Sequence, residues 1–146
     1  MGCRMGGDMQ ALESQVHKRR ILVVDDDENI RLLVERLLSG QGYEVETADS
    51  GAAGLTALNR SAPDLVLLDL TLPDMDGLAF LEARTGAAGD VPVMVLSGRS
   101  RNADVVAAFT CGASNYIAKP FQHDQLLSHV ARMLLPAGAE PSQAVG

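Results

Sequence analysis

Five short apolar runs recur along the chain, at 21–24, 43–47, 65–68, 93–96 and 115–118, and each leads into a segment of helical period. After the first run, Ile30, Leu33, Val34, Leu37 and Leu38 fall at the i, i+3, i+4, i+7, i+8 spacing of one buried stripe. Gly40 and Gly42 then close that helix. The later helices are expected over roughly 52–60, 77–86, 101–111 and 122–135. Three of the runs are apolar without alternation, as strands buried on both faces must be. The second alternates, Tyr-Glu-Val-Glu-Thr, which places it at or near a sheet edge.

Strands alternating with helices imply an α/β fold with a parallel sheet covered on both faces. Five strands suit the flavodoxin-like, doubly wound order 2-1-3-4-5 with five helices, whose ligand site lies at the carboxyl ends of the strands. The pattern occupies 19–135. Residues 1–18, rich in Gly and Met, read as a flexible leader with a helical turn over 9–16. The stretch 136–146, PAGAEPSQAVG, reads as a flexible tail or a truncated linker.

Composition narrows the picture. Hydrophobic residues make up 47% of the chain and aromatics only 3%, so the core must be aliphatic. A net charge of −7 argues against direct nucleic-acid binding, which ordinarily needs a basic face. Cys3 and Cys111 have neither metal-like spacing nor a disulfide framework, which suits a reducing cytoplasm. No apolar run is long enough to span a bilayer, and membrane association is not expected.

The strand ends carry the chemistry. The first strand runs into Asp25, Asp26, Asp27 and Glu28, the third into Asp69, the fourth into Ser97 and the fifth into Lys119 and Pro120. Asp27 has an ordinary task, capping the first helix, with Asn29 beside it. One cap gives no reason for three acids. Asp69 follows four apolar residues, and a carboxylate at the end of a buried strand is costly unless paired. Strands one and three are neighbours in the expected order, so Asp25, Asp26 and Asp69 converge. Two such charges about 4 Å apart repel by roughly 4 kcal/mol at an effective dielectric of 20. A divalent cation removes that repulsion, and an oxygen-only site with room for water suits magnesium.

Lys119 adds a requirement. Holding a cation does not call for a lysine, but an arriving anion does. Magnesium, a lysine and the Ser97 hydroxyl together suit a phosphoryl group, whose charge spreads over three outer oxygens. An aspartate can itself attack phosphorus and form an acyl phosphate. In the resting state, Lys119 is expected to pair with one of the aspartates.

At this point the segments ILVVDDDENIRLLVERLL, PDLVLLDLTLPDMDGLAFL, VPVMVLSG and GASNYIAKPF resemble, in order and spacing, the blocks of the receiver domains of two-component response regulators, including the single-domain chemotaxis and sporulation types. The likeness covers residues 20–135. It implies that Asp69 is the phosphoacceptor and Asp26 the main carboxylate ligand of magnesium (or manganese). Asp25 would support the metal through water, and the backbone carbonyl of Thr71 would complete the protein ligands. Ser97 and Lys119 would contact the phosphoryl group, and Ser97 and Tyr116 would form the switch. Arg99 and Thr71 stand where the family tunes phosphoryl lifetime. Gly77 is read as serving the turn into the third helix, and Gly98 as loosening the loop after Ser97.

The resemblance further implies a signalling switch, catalysing only its own phosphorylation and dephosphorylation. Its donor would be a sensor histidine kinase, a histidine phosphotransfer protein or acetyl phosphate. Its output face, 101–135, would engage a downstream protein, and phosphorylation-dependent homodimerisation would use the same face. A stand-alone regulator is the first expectation, and a receiver within a longer regulator or hybrid kinase the second. Two other classes compete. A haloacid-dehalogenase-type phosphatase also uses an aspartate and magnesium, but wants a second Asp two residues on, where this chain has Thr71. A phosphorylation-independent docking module would have lost the acids or the lysine, and all are present.

Overall fold

The computed structural model describes residues 18–135, so the expected leader up to residue 17, its helical turn and the whole expected tail lie outside the described residues. Strands β1 (Arg20–Val24), β2 (Glu44–Ala48), β3 (Leu65–Leu68), β4 (Val93–Ser97) and β5 (Asn115–Ala118) form one parallel sheet in the order β2-β1-β3-β4-β5. Between and after them run helices α1 (Glu28–Ser39), α2 (Gly51–Ser61), α3 (Gly77–Ala83), α4 (Gly86–Gly89), α5 (Asn102–Thr110) and α6 (His123–Met133).

Alternation along the central strands sorts their side chains into two cores. Ile21 and Val23, Leu65 and Leu67, and Met94 and Leu96 bury one face against Val34 and Leu38 of α1 and Leu126 and Val130 of α6. Leu22 and Val24, Val66 and Leu68, and Val93 and Val95 bury the other against Leu58 of α2, Phe80 and Leu81 of α3 and Ala108 of α5. The three middle strands are apolar over 21–24, 65–68 and 93–96 because both of their faces are covered there. The edge strand β2 mixes exposed Glu44 and Thr47 with buried Ala48.

Most expected bounds move by one or two residues, and two differences have an evident cause. β2 lies one residue later than its alternation suggested, because its last residue, Ala48, pairs with Val24. The helix expected over 77–86 breaks at Arg84, whose backbone is extended, and the short α4 follows as a sixth helix. The Arg84 guanidinium explains the break: it donates to the carbonyls of Leu81, Val91 and Gly112, stapling the chain reversal to the start of β4. In α1, Asp27 caps as expected, accepting from the backbone N–H groups of Asn29 and Ile30.

Candidate phosphoacceptor site

The sheet register brings the reactive groups together. Val24 pairs with both Ala48 and Leu68, so Asp25 and Asp69 leave neighbouring strands at the same level. Their backbone amides continue the ladder for one more step, Asp25 donating to Ala48 and Asp69 to Val24. Ser97 ends β4 opposite Ala118, and the Lys119 amide donates to the Ser97 carbonyl at 2.9 Å. The Lys119–Pro120 peptide is cis.

Asp25 and Asp69 are buried, 2% and 6% exposed, and Ser97 is fully buried, whereas Asp26 is exposed. One carboxylate oxygen from each of Asp25, Asp26 and Asp69 lies within 4.8 Å of the others. Lys119 joins the cluster from β5: its Nζ donates to Asp25 Oδ2 at 2.6 Å and to Asp69 Oδ2 at 3.2 Å. Asp25 is fully engaged, because its Oδ1 accepts from the Asp27 amide. The Thr71 amide donates to Asp69 Oδ1, which leads the chain back over the site.

Burial and pairing oppose each other in this cluster. Burial pushes the Asp25 carboxyl above its ordinary value, even though Lys119 and the Asp27 amide pull it down. Burial also works to lower Lys119, but its bonds to Asp25 and Asp69 outweigh this and hold it above its usual value. The donor set consists of carboxylate oxygens that repel one another, and the exposed Asp26 accepts no hydrogen bond among the described residues. Such a set fits a hard divalent cation.

Other expected residues are placed differently. Arg99 does not reach the acids of the cluster. Its guanidinium joins Asp76 at 2.9 Å and Asp104 at 3.0 Å and touches the Leu70 carbonyl at 3.5 Å, while its amide donates to Ser97 Oγ. The hydrogen bonds that Arg99 donates to Asp76 and Asp104 raise its pKa; although burial opposes it, the Leu78 amide and Arg99 lower that of Asp76. Tyr116 on β5 is half-buried and its hydroxyl has no hydrogen-bond partner among the described residues. Ser97 is close enough to influence it, but not in bonding geometry. Burial, with the Asp104 carboxylate, raises the tyrosine pKa.

The role of Gly77 is refined. A Cβ there would meet Leu70 Cα at 2.5 Å and the Asp69 carbonyl at 2.9 Å, so the need is close approach of α3 to the backbone beside Asp69. Gly98 faces open space within 4 Å. Three acids escaped the sequence reading. Asp76 caps α3 through the Leu78 amide, and an Asp just before a helical run was a usable signal. Asp104 pairs locally with Arg99 and Arg101 around the start of α5, whereas Asp74 acts across the fold and no local pattern marks it.

The response regulator receiver domain model matches residues 21–131. The transcriptional regulatory protein PrrA of Mycobacterium leprae is 39% identical over 128 residues, covering 88% of this chain and 55% of that protein. The DNA-binding response regulator MtrA of Mycolicibacterium paratuberculosis is 36% identical over 126 residues, 86% of this chain and 56% of that protein. This chain thus spans about half the length of the curated relatives it matches. Among solved structures, the Vibrio cholerae chemotaxis protein CheY4 superposes with a TM-score of 0.77 at 29% identity, covering 81% of this chain and all of that one. With the matched family, the shared strand order and the acids at the strand ends in place, the chain belongs to the response regulator receiver domains.

Proposed function

We propose that this domain accepts a phosphoryl group on Asp69 and passes the change to a protein-binding face over 101–135. The observation that carries the reading is Lys119 Nζ bridging Asp25 and Asp69 beside the open carboxylate of Asp26. A half-buried ammonium held at the nucleophile is suited to the charge of an incoming phosphoryl group.

In this reading an Asp69 carboxylate oxygen attacks phosphorus in line. The P–N bond of a phosphohistidine breaks, or the P–O bond of acetyl phosphate. The leaving imidazole takes a proton from water, and Asp69 keeps the phosphoryl group as an acyl phosphate. Lys119 moves its bonds from the carboxylates to a phosphoryl oxygen, and the Ser97 hydroxyl turns to donate to another. Asp25, Asp26, Asp69 and the Thr71 carbonyl would hold magnesium or manganese. When bound, the ion offsets carboxylate repulsion and draws charge from the transferring oxygens.

Ser97 and Tyr116 then act as the switch, favoured by the half-buried position and unpaired hydroxyl of Tyr116. On α5, Val106 and Phe109 are 63% and 45% exposed, apolar area suited to a downstream protein or a second copy of the domain. The donor is a sensor histidine kinase or a histidine phosphotransfer protein. The net charge of −7 favours protein rather than nucleic-acid contact by this domain. No described helix is long and apolar enough to cross a membrane, and we place the protein in the cytoplasm. The test is intact mass after incubation with acetyl phosphate, with and without magnesium, beside Asp69→Ala. A magnesium-dependent adduct absent from the variant is expected. A folded, metal-binding wild type without an adduct would favour the docking module instead.

A further inference from the structure

The loop over 71–76 that follows Asp69 is closed at its base and tied at its tip. At the base, Thr71 and Asp76 form an isolated antiparallel bridge, and the Gly77 amide donates to the Leu70 carbonyl at 2.7 Å. At the tip, Asp74 reaches across to α2. Its Oδ1 accepts from the Gly51 amide at 2.8 Å and its Oδ2 from the Ala52 amide at 2.9 Å. These are the first two N–H groups of α2, which the helix itself cannot satisfy. Ser50, the residue that caps α2 in the ordinary way, reaches only the Ala53 amide, at 3.1 Å. Met75 completes the junction, lying over Gly51 so closely that a Cβ there would collide with its side chain. Both oxygens of Asp74 are thus used in joining the loop to a helix that begins 23 residues earlier.

We propose that Asp74 is a positioning residue for the metal and phosphoryl site: by clamping the loop tip to the start of α2, it fixes the 71–76 loop that carries Thr71. The inference rests on the reading of the acidic cluster given above, with Thr71 as a metal-ligating carbonyl. Its physical content is that a backbone carbonyl has no side-chain torsion with which to correct its aim. Its position is set by the loop, and the loop is held by the Thr71–Asp76 bridge and by Asp74. Loss of a partner that orients a ligand commonly weakens metal binding by about tenfold or more.

A purely structural role is separable, because α2 has two independent caps. Ser50→Ala removes one and leaves the loop tether intact; Asp74→Ala removes the tether; Asp74→Asn keeps a single accepting oxygen. Magnesium affinity is measured by titration calorimetry on each protein, with amide exchange at Gly51 and Ala52 in the metal-free state and the rate of adduct formation with acetyl phosphate. Expected are an affinity about tenfold weaker in Asp74→Ala, an intermediate value in Asp74→Asn, and a wild-type value in Ser50→Ala. Faster exchange at Gly51 and Ala52 should accompany the loss. Wild-type affinity in Asp74→Ala overturns the proposal, and so does an equal loss in Ser50→Ala, which would make it an effect of helix stability. The metal titration decides the matter whether or not an adduct forms; a wild type that binds magnesium yet gains no phosphoryl group overturns the phosphoacceptor reading alone.

Discussion

Lys119 and Asp25 meet at 2.6 Å across 94 residues of chain, a closer contact than the 3.2 Å from the same nitrogen to Asp69. The lysine therefore neutralises chiefly buried Asp25 and only secondarily Asp69, the proposed phosphoacceptor. Both Asp69 oxygens accept a hydrogen bond, Oδ1 from the Thr71 amide and Oδ2 from Lys119, and in the proposed reaction Lys119 has a short path to an arriving phosphoryl group.

Removing this lysine should leave Asp25 buried without a counter-charge. Lys119→Met is expected to lower metal-free stability by about 3 kcal/mol. Adding Asp25→Asn to that variant should restore part of the loss, because the uncompensated charge goes with it. Urea unfolding of the single and double variants checks this, and a wild-type midpoint for Lys119→Met would contradict it.

Alkaline pH should weaken the fold through Lys119 and Tyr116 together. Both groups hold their protons more tightly in the folded state, Lys119 because its carboxylate bonds outweigh burial and Tyr116 because of burial. The unfolded chain then releases protons first. The stability linked to each is complete below its ordinary pKa, 10.5 for Lys119 and 10.0 for Tyr116, and drains away as pH rises through the higher folded value. Tyr116→Phe and Lys119→Met should each flatten this alkaline limb. Tyr116→Phe should also remove the late component of the tyrosinate absorbance. An unchanged limb in both variants would refute the assignment.

Two glycines should respond in opposite directions. Gly77→Ala forces backbone apart beside Asp69, with an expected loss of about 1–3 kcal/mol and slower phosphorylation. Gly98→Ala meets nothing within 4 Å, and its expected effect is a gain of about 0.4–1 kcal/mol from reduced freedom of the unfolded chain. Thermal unfolding of the pair tests the contrast.

Arg99 ties the loop after Ser97 to Asp76 at the start of α3 and to Asp104 in α5. We expect Arg99→Ala to change the lifetime of the phosphorylated domain by loosening that loop. Asp104→Asn in the same chain should add little, since both changes cut one connection. An unaltered lifetime would show that the ion pairs are only structural.

The sequence exposed what periodicity and burial dictate. Leu65–Leu68 could be read as a central strand because both of its faces are covered, and Asp69 stood out because a charge ends that strand. Val34 and Leu38 were placed on the buried stripe of α1 for the same reason, although Leu33 of that stripe is only half-buried. The end of α3 was misplaced because Arg84 leaves the helix to bind carbonyls as distant as Gly112, a contact with no local signature. Asp74 reads in sequence as one more turn acid, and its bonds to Gly51 and Ala52 exist only once β1 and β3 are side by side. Arg99 was singled out by position alone. Its commitment to Asp76 and Asp104 depends on how α3 and α5 are set against β4.

The most direct measurement is the intact mass of the protein after acetyl phosphate treatment, with and without magnesium, alongside Asp69→Ala. The account requires a single phosphoryl adduct on the wild type that depends on magnesium and is absent from the variant. An adduct of equal yield on Asp69→Ala, or none on a folded wild type that binds magnesium, would contradict it.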